Sequence, residues 1–585
     1  MGVFDYDNSL PALPIPDVKD TCCIIKKMLK PLLSEEAWVE ECRSIDEFFE
    51  KDGAGERLQR LLLEWKEAKG GNDSWLRPIW DDNYLSYRDA LPVNMNYCFQ
   101  LTNKRWGENG LSYIIAGLCE QINKIRDESL PAEQSRAGHL SMDTLQHVVY
   151  TRIPEPVKDV WYHPSFAARM TVAVACRGHW FIMSVMNEDG MIASPSAIKK
   201  ALEHIRTIAT GMEPGYGVGA LTSAERDTAF HLRSSLQDNL LNRMSLESIE
   251  KALFVVCLDE MQGSKDDFGC HILGGDAANR WFDKSLQIIS SGGCSIGVNI
   301  EHSGCDAGIW VYLLAQMDSF LSGQSFSIDE NETAAGVRIL EWNVKTPLVK
   351  ELENLRESFK NVMDRISLCQ RKIPFISRDI IKAKKCSPDA FVQILYQAAY
   401  YKLTGSFRSV YEAVSTRNFY EGRTECVRPL TEESTAFVKA FVESSEGAPK
   451  LNERFRAAEQ THVDGIRIRQ KALGPERHMA GLSSVYKMYS GTPKGAGLME
   501  PGILNLVGYQ ALRRDVLSTS SITAPFIDYF GFGPVVQDGI GIGYGFKGDA
   551  LHLMVTTYPE SGFKAHEFID AVEEMANKLL ILLSA

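Results

Sequence analysis

Residues 295–308 read SIGVNIEHSGCDAG. Ile296, Val298 and Ile300 alternate with smaller or polar residues, which suits a strand. That strand would deliver His302 into a polar, glycine-containing turn, with Asp306 four residues further on. An HxxxD spacing lets a carboxylate approach the histidine or anchor its loop. The stretch overlaps GGCSIG (292–297), which contains the GxSxG of a nucleophile elbow with Ser295 as nucleophile. An elbow needs a strand, a sharp turn and then a helix. Ser295 is followed by more strand-like sequence, so a strand-borne histidine is the preferred reading. A lone histidine is more often structural than catalytic, and the chain has 12, so spacing alone does not make His302 a base.

Outward from this stretch, helix-like and strand-like segments alternate, which predicts an α/β protein. TVAVAC (171–176), HWFIMSV (179–185), ALFVVCL (252–258) and LHLMVTTY (551–558) are strand-like. SPDAFVQILYQAAYYKL (387–403) predicts a helix with Ser387 as N-cap, Pro388 in the first turn, and Phe391, Ile394, Leu395 and Ala398 on one face. KAHEFIDAVEEMANKLLILL (564–583) predicts another, with Phe568, Val572, Met575 and Leu579 aligned. GYGVGA (215–220) and GIGIGYG (539–545) lack the strand–helix setting of a dinucleotide fingerprint and read as turns. Lys382, Lys384 and Lys385 precede the start at Ser387. A basic cluster at a helix N-terminus suits a phosphate, although a charge run is more often solvated surface. Softer boundaries fall at 66–72 and 344–350, without a long linker.

With 585 residues, 44% of them hydrophobic, the chain can build a sizeable core. A net charge of -13 argues against a nucleic-acid or anionic-membrane surface. The 13 cysteines form no CxxC pair, so a reducing compartment is expected, without a disulfide framework or a metal site. No Walker A, HExxH or EF-hand pattern occurs, and no apolar run of about 18 residues could span a bilayer. The start lacks a secretory pattern and carries early acids, and LLSA at the end is no peroxisomal address. A cytoplasmic monomer is the expectation.

Several motifs occur together and in order: LPALPIPDVKDTC (10–22), SWLRPIWDDNYLSYRD (74–89), ALTSAERD (220–227), NRWFDKSLQ (279–287), IEHSGCDAG (300–308), SPDAFVQ (387–393), YEAVSTRNFYEGRTECVRP (411–429), ERHMAGL (476–482), LSTSS (517–521) and FGPVVQDGIGIGY (532–544). In this combination the chain resembles the carnitine/choline O-acyltransferases over nearly its whole length. The resemblance implies two chloramphenicol-acetyltransferase-like domains, each a mixed sheet flanked by helices, with the active-site tunnel between them. Residues 71–345 would carry the catalytic histidine. Residues 1–70 and 346–585 would carry the coenzyme A and carnitine contacts. The implied reaction is reversible acyl transfer between coenzyme A and the hydroxyl of carnitine, with both as substrates and no separate cofactor.

The same resemblance implies roles. His302 is the general base and Ser520 an oxyanion donor, while Asp306 pairs with Arg423 to support the histidine loop. Arg477, Thr424, Tyr411, Tyr84 and Ser518 would bind carnitine. Arg477 and Thr424 depart from the choline branch, which has Asn and Val at those places. Arg378, Lys382 and Asp389 would bind coenzyme A, Arg378 standing where the family has a lysine. Phe530, with Gly531 beside it, would close the acyl pocket and favour acetyl or short groups. A medium-chain, octanoyl-type enzyme is the nearest alternative. The family's tryptophan after LTSxxRDx is Ala229 here, a change without a functional reading. Readings from other classes are a serine hydrolase using Ser295 and a non-catalytic homologue that only binds carnitine or coenzyme A.

Overall fold

In the computed structural model of the chain, Ser295–Ile300 is a strand and pairs antiparallel with Leu286–Ser291, from Ser295 opposite Ser291 to Ile300 opposite Leu286. The structure describes residues 2–68, 73–102, 106–107, 109–165, 170–187, 189–260, 264–292, 295–324, 328–329 and 331–584. Part of the 66–72 boundary and Gly293 and Cys294 of the GxSxG stretch lie outside the described residues. Ser295 opens a strand that runs on to Ile300, so no helix follows it and the elbow reading falls.

This strand belongs to an eight-stranded mixed sheet. Across the sheet the order is Val337–Ile339, His179–Ser184, Thr171–Cys176, Val255–Asp259, Leu286–Ser291, Ser295–Ile300, Tyr97–Leu101 and Ile527–Phe532. Thr171–Cys176, Val255–Asp259 and Leu286–Ser291 are mutually parallel. Both faces are covered, as parallel strands require. Val172, Val174 and Cys176 enter one hydrophobic core, while Ala173 and Ala175 enter the core on the other side. Helices Gly110–Arg126, Pro195–Thr210 and Ala307–Ser322 pack on the first face.

A second, six-stranded mixed sheet has the order Ser367–Ile373, Ala550–Thr557, Ile540–Lys547, Leu517–Ser521, Val410–Ser415 and Thr424–Val427. The helices expected from sequence cover it. Pro388–Thr404 starts at Ser387, whose hydroxyl accepts from Ala390 N–H, and Ala565–Leu582 contributes Phe568, Val572, Met575 and Leu579 to the same core. A third layer joins the helices Val18–Leu29, Glu35–Phe49 and Ala54–Ala68 to Arg77–Leu85 and Pro475–Tyr489.

The expected division at 345/346 is crossed twice. Ile527–Phe532 comes from the C-terminal part, yet it forms the edge of the first sheet against Tyr97–Leu101. Helix Thr346–Asp364 sends Leu352 and Phe359 into the first sheet's core. Hydrophobic alternation shows that a strand has a buried face but not which sheet it joins. Among the described residues no helix is long and apolar enough to cross a membrane.

Candidate active site

The two sheets and the N-terminal helices meet around a cavity of about 610 Å³. His302, Asp306, Tyr84, Tyr411, Thr424, Arg477, Ser518, Ser520 and Phe530 all line it. They come from seven separate elements of the chain. His302 sits just beyond strand Ser295–Ile300. Tyr84 lies in the last turn of helix Arg77–Leu85, and Arg477 lies in the first turn of helix Pro475–Tyr489. Tyr411 and Ser518 are register partners on adjacent parallel strands.

His302 is held in one orientation. Its Nδ1 lies 3.1 Å from the Cys305 carbonyl oxygen. A carbonyl can only accept, so Nδ1 carries the proton and Nε2 the lone pair. The rings of Tyr97 and Tyr84 meet the imidazole edge-on, with centroids 5.0 and 5.5 Å away. Burial lowers the His302 pKa below the usual 6.5, and the Arg423 cation adds to this. The Asp306 carboxylate, the Cys305 carbonyl and Glu301 oppose them without prevailing. The imidazole is therefore neutral at pH 7, yet 30% of its side chain is accessible.

Asp306 does not hydrogen-bond the imidazole; its Oδ1 is 4.0 Å from Nδ1. It accepts instead from Arg423, Nε to Oδ2 at 3.0 Å and Nη2 to Oδ1 at 3.1 Å. Burial alone would raise the Asp306 pKa, but the guanidinium prevails and holds it below the ordinary carboxylate value. Arg423 also donates to the backbone carbonyls of Ser303 (2.7 Å) and His302 (3.2 Å). The pair thus anchors the backbone that carries His302.

Arg477 donates from Nε to the Thr424 carbonyl at 3.2 Å, and its Nη2 lies 3.5 Å from the Tyr411 hydroxyl. Its guanidinium carbon is 4.4 Å from the centroid of Trp80, a cation–π contact. A guanidinium carries five N–H groups, so donors remain for an anion in the cavity. Behind it, Arg428 bridges Glu476 and Asp515 and fixes the helix start on which Arg477 stands. On strand Leu517–Ser521, Ser518 and Ser520 share one face. Thr519 turns the other way, donating to the Tyr411 carbonyl and accepting from Gln393.

The two residues expected at the acyl pocket separate. Phe530 lines the cavity, with its ring 5.6 Å from Phe99 and 6.2 Å from Tyr97. Gly531 does not. A Cβ there would meet Met554 Sδ at 2.3 Å, on the opposite face of the strand. Successive residues of a strand face opposite ways, and the one register shift in this pairing lies further along, between Gln100 and Leu101.

The expected coenzyme A contacts lie apart from the cavity lining. Arg378 and Lys382 are exposed, one turn apart on helix Arg378–Ala383. The lysine cluster does not converge, because Lys384 Nζ donates to Ser584 Oγ at 2.6 Å. Nor is the helix start at Ser387 free for a phosphate, since Ser387 N–H donates to Glu459 at 2.6 Å. Asp389 accepts from His462 (3.0 Å) and from the Tyr544 hydroxyl (2.9 Å), with Glu412 adjacent. Among the described residues, Asp389, Glu412 and His462 bring side-chain oxygen and nitrogen atoms within 4.8 Å of one another.

Tyr97, Trp80, Glu301 and Arg152 went unread in the sequence. Glu301 had a signal, a carboxylate placed between an apolar strand and the histidine. Arg152 had none, because a lone arginine reads as surface.

The family model described as Choline/Carnitine o-acyltransferase matches residues 13–574. Carnitine O-palmitoyltransferase 2, mitochondrial, of Xenopus tropicalis is 28% identical, covering 99% of this chain and 92% of its own length. Carnitine O-acetyltransferase of Mus musculus is 28% identical over 94% of this chain and 90% of its own. The muscle isoform of carnitine O-palmitoyltransferase 1 of Homo sapiens is 30% identical over 94% and 73%. Among solved structures, the wax ester synthase/diacylglycerol acyltransferase from Marinobacter aquaeolei VT8 has a TM-score of 0.33 at 8% identity, covering 87% of this chain and 99% of that one.

Proposed function

The chain belongs to the choline/carnitine O-acyltransferase family, and on that premise we propose that it transfers acetyl or another short acyl group between coenzyme A and the hydroxyl of carnitine, with His302 as general base. One observation carries this reading: a neutral imidazole, proton fixed on Nδ1, shares a cavity with the Arg477 guanidinium. Nε2 takes the proton of the carnitine hydroxyl as its oxygen bonds to the thioester carbonyl carbon. The carbon–sulfur bond then breaks, and the proton passes to the departing sulfur. General-base help of this kind is worth roughly 10²–10⁴ in rate. The Ser520 hydroxyl, on the cavity face of its strand, donates to the oxyanion formed in between.

Arg477 supplies the cation for the carnitine carboxylate, beside Tyr411 and Thr424. Choline has no carboxylate to meet it. Arg378 and Lys382 suit the phosphates of coenzyme A, the arginine chelating phosphate oxygens as a lysine cannot. Asp389 is assigned to its adenine end. Phe530 occupies the place of a longer acyl chain, which favours short groups.

The test is thiol release by the purified protein from acetyl- and octanoyl-coenzyme A, with carnitine or choline as acceptor. Carnitine-dependent release, faster with acetyl and lost in His302→Ala, is the expected result. Release without any acceptor would mean hydrolysis and defeat the reading. No release would leave a binding protein, and equal use of choline would remove the role given to Arg477.

A further inference from the structure

Glu301 stands immediately before the base and is 1% exposed. Its Oε2 accepts from the backbone N–H of Ser303 at 3.1 Å, from the Ser303 hydroxyl and from the Tyr150 hydroxyl. Tyr150 in turn accepts from Gly304 N–H at 3.1 Å. The residue before the histidine thus ties down the two residues after it, and His302 is the apex of a closed loop.

The other carboxylate oxygen, Oε1, accepts from Arg152 Nη1 at 3.2 Å, and both side chains of this pair are fully buried. Arg152 Nε donates to Asp159 at 2.7 Å. Its Nη2 donates to the backbone carbonyl of Tyr84 at 2.8 Å, and the Tyr84 ring is the wall 5.5 Å from the imidazole. One guanidinium therefore sets both the loop that carries the base and the helix end that borders it. Arg423 holds the same loop from the opposite side, through Asp306 and the His302 carbonyl.

We propose that Glu301, held by Arg152, is a positioning residue for the His302 base. It touches no substrate. It fixes the imidazole relative to Tyr84 and to the reacting hydroxyl. The role rests on the acyl-transfer reading above. Small misplacement of a base is costly, on the order of 10²-fold for about 1 Å.

The test is Glu301→Gln, which keeps a carbonyl acceptor of the same shape but removes the charge and the pairing with Arg152. With folding checked by circular dichroism and a cooperative melt, kcat should fall about 10–100-fold. KM for carnitine and acetyl-coenzyme A should stay within about twofold. The acid limb of kcat/KM should also move to lower pH. Asp306, Arg423 and Glu301 act on the imidazole most directly, with the titratable Tyr84 and Tyr97 packed on its ring and Arg477 in the same cavity, and losing one anion disfavours the imidazolium. A purely structural role would lower the yield of active protein while kcat per folded enzyme, measured on the pH plateau, stayed at the wild-type value. A folded Glu301→Gln enzyme with wild-type kcat and an unmoved limb overturns the proposal. Should this variant not fold, Tyr150→Phe removes one donor to the carboxylate, and roughly 3–10-fold lower kcat at unchanged KM is expected. Undiminished turnover there overturns the proposal. A wild-type protein without carnitine-dependent release would overturn the acyl-transfer reading and this role with it.

Discussion

If Phe530 closes the acyl pocket as proposed, replacing it by alanine should extend acceptance to medium chains. The ring is 5% exposed and is bounded by Phe99, Phe532 and Tyr97, with centroids 5.6, 5.7 and 6.2 Å away. Its removal leaves a void continuous with the 610 Å³ cavity. That void holds about three to four methylenes, each worth ~0.8 kcal/mol on burial, or roughly 2.5–3 kcal/mol in all. The ratio of kcat/KM for octanoyl over acetyl groups should then rise roughly 50–200-fold. Without substrate the cavity destabilises the protein by about 3–5 kcal/mol, and octanoyl-coenzyme A should recover part of this as a raised Tm, more in the variant than in the parent. Thiol release over acyl chains of increasing length reads the first effect and thermal melts read the second. A folded variant with an unchanged chain-length profile would refute the assignment of Phe530 to the pocket. Gly531→Ala is the control: its Cβ would strike Met554 on the other face, so stability should drop while the profile stays the same.

His302→Gln should lower kcat by roughly 10²–10⁴ in a folded protein. In the wild type, activity is lost as falling pH protonates the imidazole. Because burial holds the His302 pKa below 6.5, the acid limb of kcat/KM should lie below that value, and a limb above it would contradict the environment described. Arg477→Asn should raise KM for carnitine about 10–100-fold, the worth of a charge-assisted bond, and an unaltered KM would displace the carboxylate site. Ser295→Ala should leave turnover within about twofold, and covalent labelling of the wild type at Ser295 by a fluorophosphonate would reopen the hydrolase reading. Among the described residues the buried Tyr97 hydroxyl has no hydrogen-bond partner, so Tyr97→Phe should match or exceed wild-type stability. A Tm several degrees lower would show that the hydroxyl has a partner.

The residues legible in the sequence were those lying in local strings that resemble the family's motifs. His302 at the end of an apolar strand, Arg423 in GRT and Arg477 in ERHMAGL all reach the cavity or its support. Helix starts were readable for the same reason, since the cap at Ser387 and the residues it serves are neighbours in the chain. What stayed hidden depends on contacts far apart in sequence. Arg152 meets Glu301 across 149 residues and Asp306 meets Arg423 across 117; only the second pair lay within strings that could be matched. The lysines at 382–385 looked like one cluster, but a helix turn and the C-terminal Ser584 draw Lys384 aside. Phe530 and Gly531 could not be told apart until the strand register was known, because one step along a strand exchanges its faces.

The closure of the first sheet by Ile527–Phe532 has a consequence for biosynthesis. Cys98 and Gly531, neighbours across that seam, are 433 residues apart in the chain. At about 5–20 residues per second, a ribosome needs roughly 20–90 s after making one strand to deliver the other. Throughout that interval Tyr97–Leu101, buried along its whole length in the finished protein, presents an unpaired and largely apolar edge. Such an edge is a template for pairing with other chains. That edge therefore stays open to other chains until the strand Ile527–Phe532, which covers it in the first sheet, has been made.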